Sequence, residues 1–301
     1  MTTLAELTLQ ARQWRLRQNL SRVPSAVSAG DRRLIWEYPA YAERPYSGSF
    51  GTAIAKFNRY GFRDQDRETT AKPVGKFRVA FVGDSVTEGL GVAVEYTFVR
   101  LFEDLMCATR SSNDVEALNF GVGGYQTVQI AALLDKVLPF QPDMVVYVMC
   151  PNDFDFIDAS GGLVAYHSPP AILLPRWIQA RTVALGYPRT HSGYYAAHFN
   201  ARHDEVFAAI EEMKTRVHKI GAKFTVAILP HFWDAPIGDE YPFPEHQKIL
   251  QYLNDSGIPH IDLLAGMKNS GVTNLSAVAL DGWHPDSKGH RIIAEILADE
   301  L

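Results

Sequence analysis

A chain of 301 residues with 47% apolar content can bury a sizeable core, which fits one large α/β domain or one domain with a small appendage. Its 21% charged residues, formal net charge of −5 and lack of a dense Lys/Arg stretch with interleaved aromatics exclude a nucleic-acid surface. Cys107 and Cys150 are the only cysteines, too few for a disulfide framework and without a Cys/His cluster that would hold structural zinc. Both read as buried thiols.

At the N-terminus there is no continuous apolar run of the secretory type, so a cytoplasmic location is the expectation. Residues 4–20 place Leu4, Leu7, Ala11 and Trp14 at helical spacing, with Arg12, Arg15 and Arg17 nearby. Such a basic amphipathic helix either packs its apolar stripe on its own domain or meets a partner or an anionic membrane surface. No run of 18 apolar residues occurs, so no membrane span is expected. Residues 1–75 read as an N-terminal extension or small subdomain, ahead of a domain over 76–301.

From residue 77 onward the chain acquires a rhythm. The apolar run 77–83 (FRVAFVG) reads as a buried strand, followed by a helix over 96–109. A second strand over 115–122 precedes a helix over 126–137, and a third strand spans 144–149 (MVVYVM) between Pro142 and Pro151. An irregular stretch then leads to a helix over 204–220, a fourth strand at 224–229 and a helix over 245–254. A short fifth strand at 260–264 and a closing helix over 287–299 complete the series. Continuous apolar strands alternating with helices predict a doubly wound, three-layer α/β sandwich around a five-stranded parallel sheet of order 2-1-3-4-5. Functional groups are then expected at the carboxyl ends of the strands.

Informative residues fall at those ends. Directly after the first strand comes Gly83-Asp84-Ser85-Val86-Thr87-Glu88-Gly89. A serine where a strand turns into a helix can present its hydroxyl above the sheet edge, beside unbonded helix N–H groups that suit an oxyanion. The same position also suits a plain N-cap. Just before the last helix stands Asp281-Gly282-Trp283-His284-Pro285. A serine nucleophile needs a base, and the base needs a carboxylate to orient it; one tight loop carries both types here. Two further segments, 119–124 (NFGVGG) and 150–153 (CPND), supply close-approach glycines and a side-chain amide, although each alone reads as an ordinary turn.

Those four segments, in this order, closely resemble the SGNH/GDSL hydrolase superfamily over roughly residues 76–301. The resemblance implies a flavodoxin-like SGNH fold and a serine esterase without a cofactor. It assigns Ser85 as nucleophile, His284 as base and Asp281 as the orienting acid. By the same resemblance the oxyanion is met by the N–H of Ser85, the N–H of Gly124 and the side-chain amide of Asn152. The stretch 58–64 (NRYGFRD) is similar to a lead-in found in some bacterial members. One departure stands out: the family often has glycine two places before the asparagine, where this chain has Cys150, a side chain that would narrow the pocket or lie buried at the strand end.

The implied reaction is cleavage of a carboxylic ester, an O-acetyl or short acyl group on a sugar, lipid or small molecule, through an acyl-enzyme. The alternative is an acyltransferase passing the same acyl group to an acceptor other than water. Residues 154–200 form an insertion rich in apolar and aromatic residues, placed either as a lid over the pocket or as a packing or dimer contact. A phosphate-binding module is disfavoured because the Gly83–Gly89 turn lacks a GK[ST] element and 121–124 lacks the last glycine of GxGxxG. No HExxH or comparable ligand set suggests a metal.

Overall fold

The structure, a computed structural model, describes residues 27–28, 31, 33–34, 36–45, 54–110, 114–154, 191–232 and 243–301. The expected helix over 4–20 and most of the insertion lie outside the described residues.

Among the described residues four short strands come first: β1 (Val27–Ser28) pairs with β2 (Trp36–Glu37), and β3 (Glu43–Pro45) pairs with β4 (Ile54–Lys56), both antiparallel. The main sheet comprises β5 (Phe77–Gly83), β6 (Val115–Gly121), β7 (Met144–Met149), β8 (Lys223–Ile228) and β9 (His260–Asp262). Its order is β6-β5-β7-β8-β9 and every neighbouring pair is parallel, the expected 2-1-3-4-5 arrangement.

Alternation along these strands builds two cores. Ala80 and Val82, Val145 and Tyr147, and Val226 and Ile228 point to one face, where they meet α3 (Thr127–Val137), α4 (His191–Lys219) and α5 (Pro244–Asp255). Val79 and Phe81, Val146 and Val148, and Ala227 point to the other, against α2 (Phe98–Arg110), α6 (Leu263–Asn269) and α7 (Ser287–Glu300). A strand buried on both faces can be apolar at nearly every position, which is why these segments read as largely apolar runs. Leu34, Trp36, Tyr38, Ala55, Phe57 and Phe62 join the first core, so the described part of the N-terminal region packs directly on the sheet domain.

Two elements differ from expectation. Helix α4 begins at His191, well inside the segment expected to be irregular. Its clean apolar stripe, Val206, Ile210, Met213 and Val217, starts only in the second half, and the first half carries Gly193 and polar residues that blur the period. The fifth strand stops at Asp262, whose carboxylate accepts the N–H groups of Leu264 and Ala265 and so starts α6 within the apolar run. Among the described residues no helix is long and apolar enough to cross a membrane.

On the α2/α7 face, His290 is completely buried; its Nδ1 accepts the Phe98 N–H at 3.1 Å, and its ring stacks on Phe98. Burial, with Arg63 and His284 nearby, pulls its pKa from the usual 6.5 down to about 3. Between these two values the unfolded chain binds a proton that the native chain refuses, so stability falls as pH drops from about 6.5 towards 3, by at most about 1.4 kcal/mol per pH unit. The expected outcome is that His290→Gln flattens this acid limb in urea-unfolding series at pH 7, 6 and 5. An unchanged slope would mean that another group causes it.

Candidate active site

Helix α1 (Ser85–Glu88) is a single turn at the carboxyl end of β5. Asp84, not Ser85, caps it: the Asp84 Oδ1 accepts the Val86 N–H at 2.9 Å. The serine hydroxyl is therefore not spent on capping, and Ser85 occupies the first helical position, where the N–H has no intrahelical acceptor. The turn is pressed onto the sheet edge. A Cβ at Gly121 would come within 2.0 Å of the Glu88 nitrogen, and one at Gly83 within 2.2 Å of the Thr87 Oγ1. From the other side, the buried Arg63 guanidinium donates to the carbonyls of Glu88, Gly89 and Val92 where α1 ends. The 58–64 segment thus acts as a brace: Asn58 Oδ1 accepts the N–H groups of Tyr60 and Phe62 and shapes the turn that delivers Arg63.

Ser85 and His284, 199 residues apart in sequence, meet with Oγ and Nε2 at 2.9 Å. The His284 Nδ1 lies 2.9 and 3.0 Å from the two carboxylate oxygens of Asp281. One tautomer satisfies both contacts: Nδ1–H donates to Asp281 while Nε2 accepts the serine proton. Partial burial of Asp281 opposes its ionisation, but the hydrogen bond and charge of His284 and the N–H groups of Trp283 and His284 outweigh it, leaving its pKa below the ordinary 3.8. The loop itself is pinned by the segment after β8: the Phe232 N–H donates to the Gly282 carbonyl at 3.1 Å.

Gly124 turns the chain after β6 with φ +82°, and its N–H takes no partner among the described residues. Asn152 sits in a 3₁₀ turn after β7, Pro151–Phe154, and one of its amide N–H groups donates to Asp84 Oδ2 at 3.2 Å. That turn is tied from beneath, since the buried Asp153 carboxylate accepts the Cys150 N–H and the Tyr147 hydroxyl at 2.9 and 2.6 Å. Burial raises the pKa of Asp84, against the Val86 N–H, the His284 charge and the Asn152 amide. Ser85 and Asn152 thus stand on short helical turns, and Gly124, Asp281 and His284 on loops, at one edge of the sheet.

Cys150 is buried at the end of β7, and burial first, then the Asp84 and Asp153 charges, push its thiol pKa well up. With Met149, Pro151, Phe154, Tyr195 and Phe243 it helps line a small cavity of about 20 Å³. Among the described residues no three His, Cys, Asp or Glu side chains converge as metal ligands. Sequence reasoning passed over Glu88 and Arg44, which bond beside the Gly123–Gly124 turn. Nothing in the short Ser-Val-Thr-Glu turn marks Glu88 as a buried group in the sequence.

A parallel α/β sheet with these groups on its carboxyl edge defines an acyl-hydrolysing class of protein. The sequence pattern of the GDSL-like lipase/acylhydrolase family matches residues 81–292, and the chain belongs to that family. It is a carboxylic ester hydrolase of the SGNH type. Among solved structures it is similar to an acetylxylan esterase from Geobacillus stearothermophilus, at 17% identity over 76% of this chain and 96% of that one, with a TM-score of 0.50. A catalytic mutant of that esterase aligns at 16% identity over 76% and 96%, with a TM-score of 0.51. An α/β hydrolase from the metagenome of Lake Arreo, Spain, aligns at 15% over 74% and 94%, with a TM-score of 0.49. For the two esterase structures, at these identities, the likeness is one of fold. No curated protein matches the chain in sequence.

The glycine contact gives a direct test of how the serine is placed. Gly121→Ala forces a methyl group into the α1 backbone, and overpacking of this kind costs about 1–3 kcal/mol. Loss of both urea stability and ester turnover is expected, because α1 must shift; full activity would show that the serine tolerates the displacement.

Proposed function

We propose that Ser85 is the nucleophile of an esterase, with His284 as general base and acid and Asp281 as the group that fixes the imidazole. The observation that carries this reading is the unbroken chain from Ser85 Oγ to His284 Nε2 and from His284 Nδ1 to Asp281. His284 removes the hydroxyl proton as Ser85 attacks the ester carbonyl, and the imidazolium that forms is stabilised by the adjacent carboxylate. The N–H of Ser85, the N–H of Gly124 and the second amide N–H of Asn152 receive the oxyanion. Protonated His284 then gives its proton to the leaving alcohol. Water, activated by the same imidazole, releases the acid from the acyl-enzyme.

For the substrate we propose an O-acetyl or short acyl ester of a sugar, lipid or small molecule. In support, the small cavity beside Pro151 is lined mainly by aromatic and aliphatic side chains, and Cys150 fills part of the strand end where a glycine would leave more room. A mainly apolar wall suits an acyl group better than a charged one. Residues 154–200 are proposed to help bound the same pocket, because they follow Asn152 directly in the chain.

Turnover of p-nitrophenyl acetate, butyrate and octanoate tests both parts. Ser85→Ala and His284→Ala are expected to lose several orders of magnitude in kcat, and Asn152→Ala about 10²–10³-fold. The acetate ester is expected to be preferred. Near-normal turnover by Ser85→Ala would remove the proposed nucleophile, and product partitioning with an added alcohol reads directly whether water or the alcohol accepts the acyl group.

A further inference from the structure

Glu88 lies three residues beyond Ser85, at the far end of α1, and is fully buried. A carboxylate survives such burial only where N–H groups and an opposite charge replace water. Both are present. One oxygen accepts the Gly123 N–H at 2.7 Å, and the other lies 3.3 Å from the Arg44 guanidinium, which also donates to the Tyr38 hydroxyl at 2.8 Å. Arg44 arrives from the β3/β4 hairpin, opposite the completely buried Ala55, so it stands on the hairpin's inward face.

Gly123 must lack a side chain for this to form. A Cβ there would sit 2.9 Å from the Glu88 carboxylate, 3.4 Å from the Arg44 guanidinium and 3.6 Å from the Ser85 Cβ. The next peptide carries the Gly124 N–H. Because peptide units are planar, anchoring the Gly123 N–H leaves only the two dihedrals of Gly123 between that anchor and the Gly124 donor. A charge-assisted bond is a short, strong anchor. It also brings a negative charge close to the place where an oxyanion develops, which by itself opposes the reaction. The Arg44 cation offsets that charge.

We propose that Glu88 and Arg44 are positioning residues of the esterase: Glu88 holds the Gly123–Gly124 turn so that the Gly124 N–H faces the oxyanion, and Arg44 neutralises the carboxylate that does the holding. The hairpin before the sheet is then part of the reaction machinery. This rests on the reading of Ser85 as nucleophile and Gly124 as oxyanion donor.

The test is kcat and KM for full-length Arg44→Ala and Arg44→Ala/Glu88→Gln, beside wild type and Ser85→Ala, with melting curves for each. Arg44→Ala is expected to lower kcat about 10–100-fold with KM within about threefold, the split of an interaction realised in the transition state. Adding Glu88→Gln should recover about tenfold, since the amide oxygen still accepts the Gly123 N–H but carries no charge. A folded Arg44→Ala enzyme with kcat within about threefold of wild type overturns the proposal, as does a double variant slower than the single one. If Arg44→Ala does not fold, Arg44→Gln, which keeps a donor for Tyr38, is expected to show the same kcat loss, and unchanged kcat there also overturns it. Wild-type turnover by Ser85→Ala overturns instead the reading of the site on which the proposal stands.

Discussion

The site depends on one steric constraint: the backbone of a single helical turn lies against the ends of two strands with no Cβ between them. At Gly121 any side chain would collide with the Thr87–Glu88 peptide, and at Gly83 with Thr87 and the Val148 carbonyl. Close approach brings polar groups into register. The Asn119 side chain donates to the Thr87 carbonyl at 2.8 Å and accepts the Gly121 N–H at 2.9 Å, tying α1 to β6. With Arg63 gripping the other end, a turn too short to be stable alone is held in place by tertiary contacts.

Under this edge lie three fully buried carboxylates, Asp84, Glu88 and Asp153. Each is held by at least one backbone N–H: of Val86, Gly123 and Cys150 respectively. They anchor the three loops that follow β5, β6 and β7, one carboxylate to one loop. Buried charge is a weak source of stability but a strong source of geometry, because each oxygen tolerates few arrangements of donors once water is excluded. The apolar sheet fixes where the loops begin; the carboxylates fix how they turn.

The sheet was legible in the sequence because burial on both faces leaves largely apolar segments, broken at 77–83 only by Arg78, at 115–121 by Glu116 and Asn119, and not at all at 144–149; their alternation with helices gave the doubly wound order. Ser85 and Asn152 were legible as residue types at strand ends, and Asp281 and His284 as a pair just before the closing helix. Less legible were relations set by three-dimensional packing. Asp262 ends a strand by capping the next helix, and local hydrophobicity does not reveal this. Arg63 and Arg44 lie upstream of the first sheet strand, and only the fold brings them to α1. Among adjacent carboxylic residues, sequence could not tell which would cap a helix, which would hold a loop and which would stay at the surface.

The bond between Ser85 and His284 spans 199 residues, and four of the five strands of the parallel sheet lie within the stretch it encloses. Contacts this distant in sequence form late, since the entropy of closing so long a loop must be met by structure already in place. On the assignment proposed above, the nucleophile and its base come together only once the sheet between them is complete.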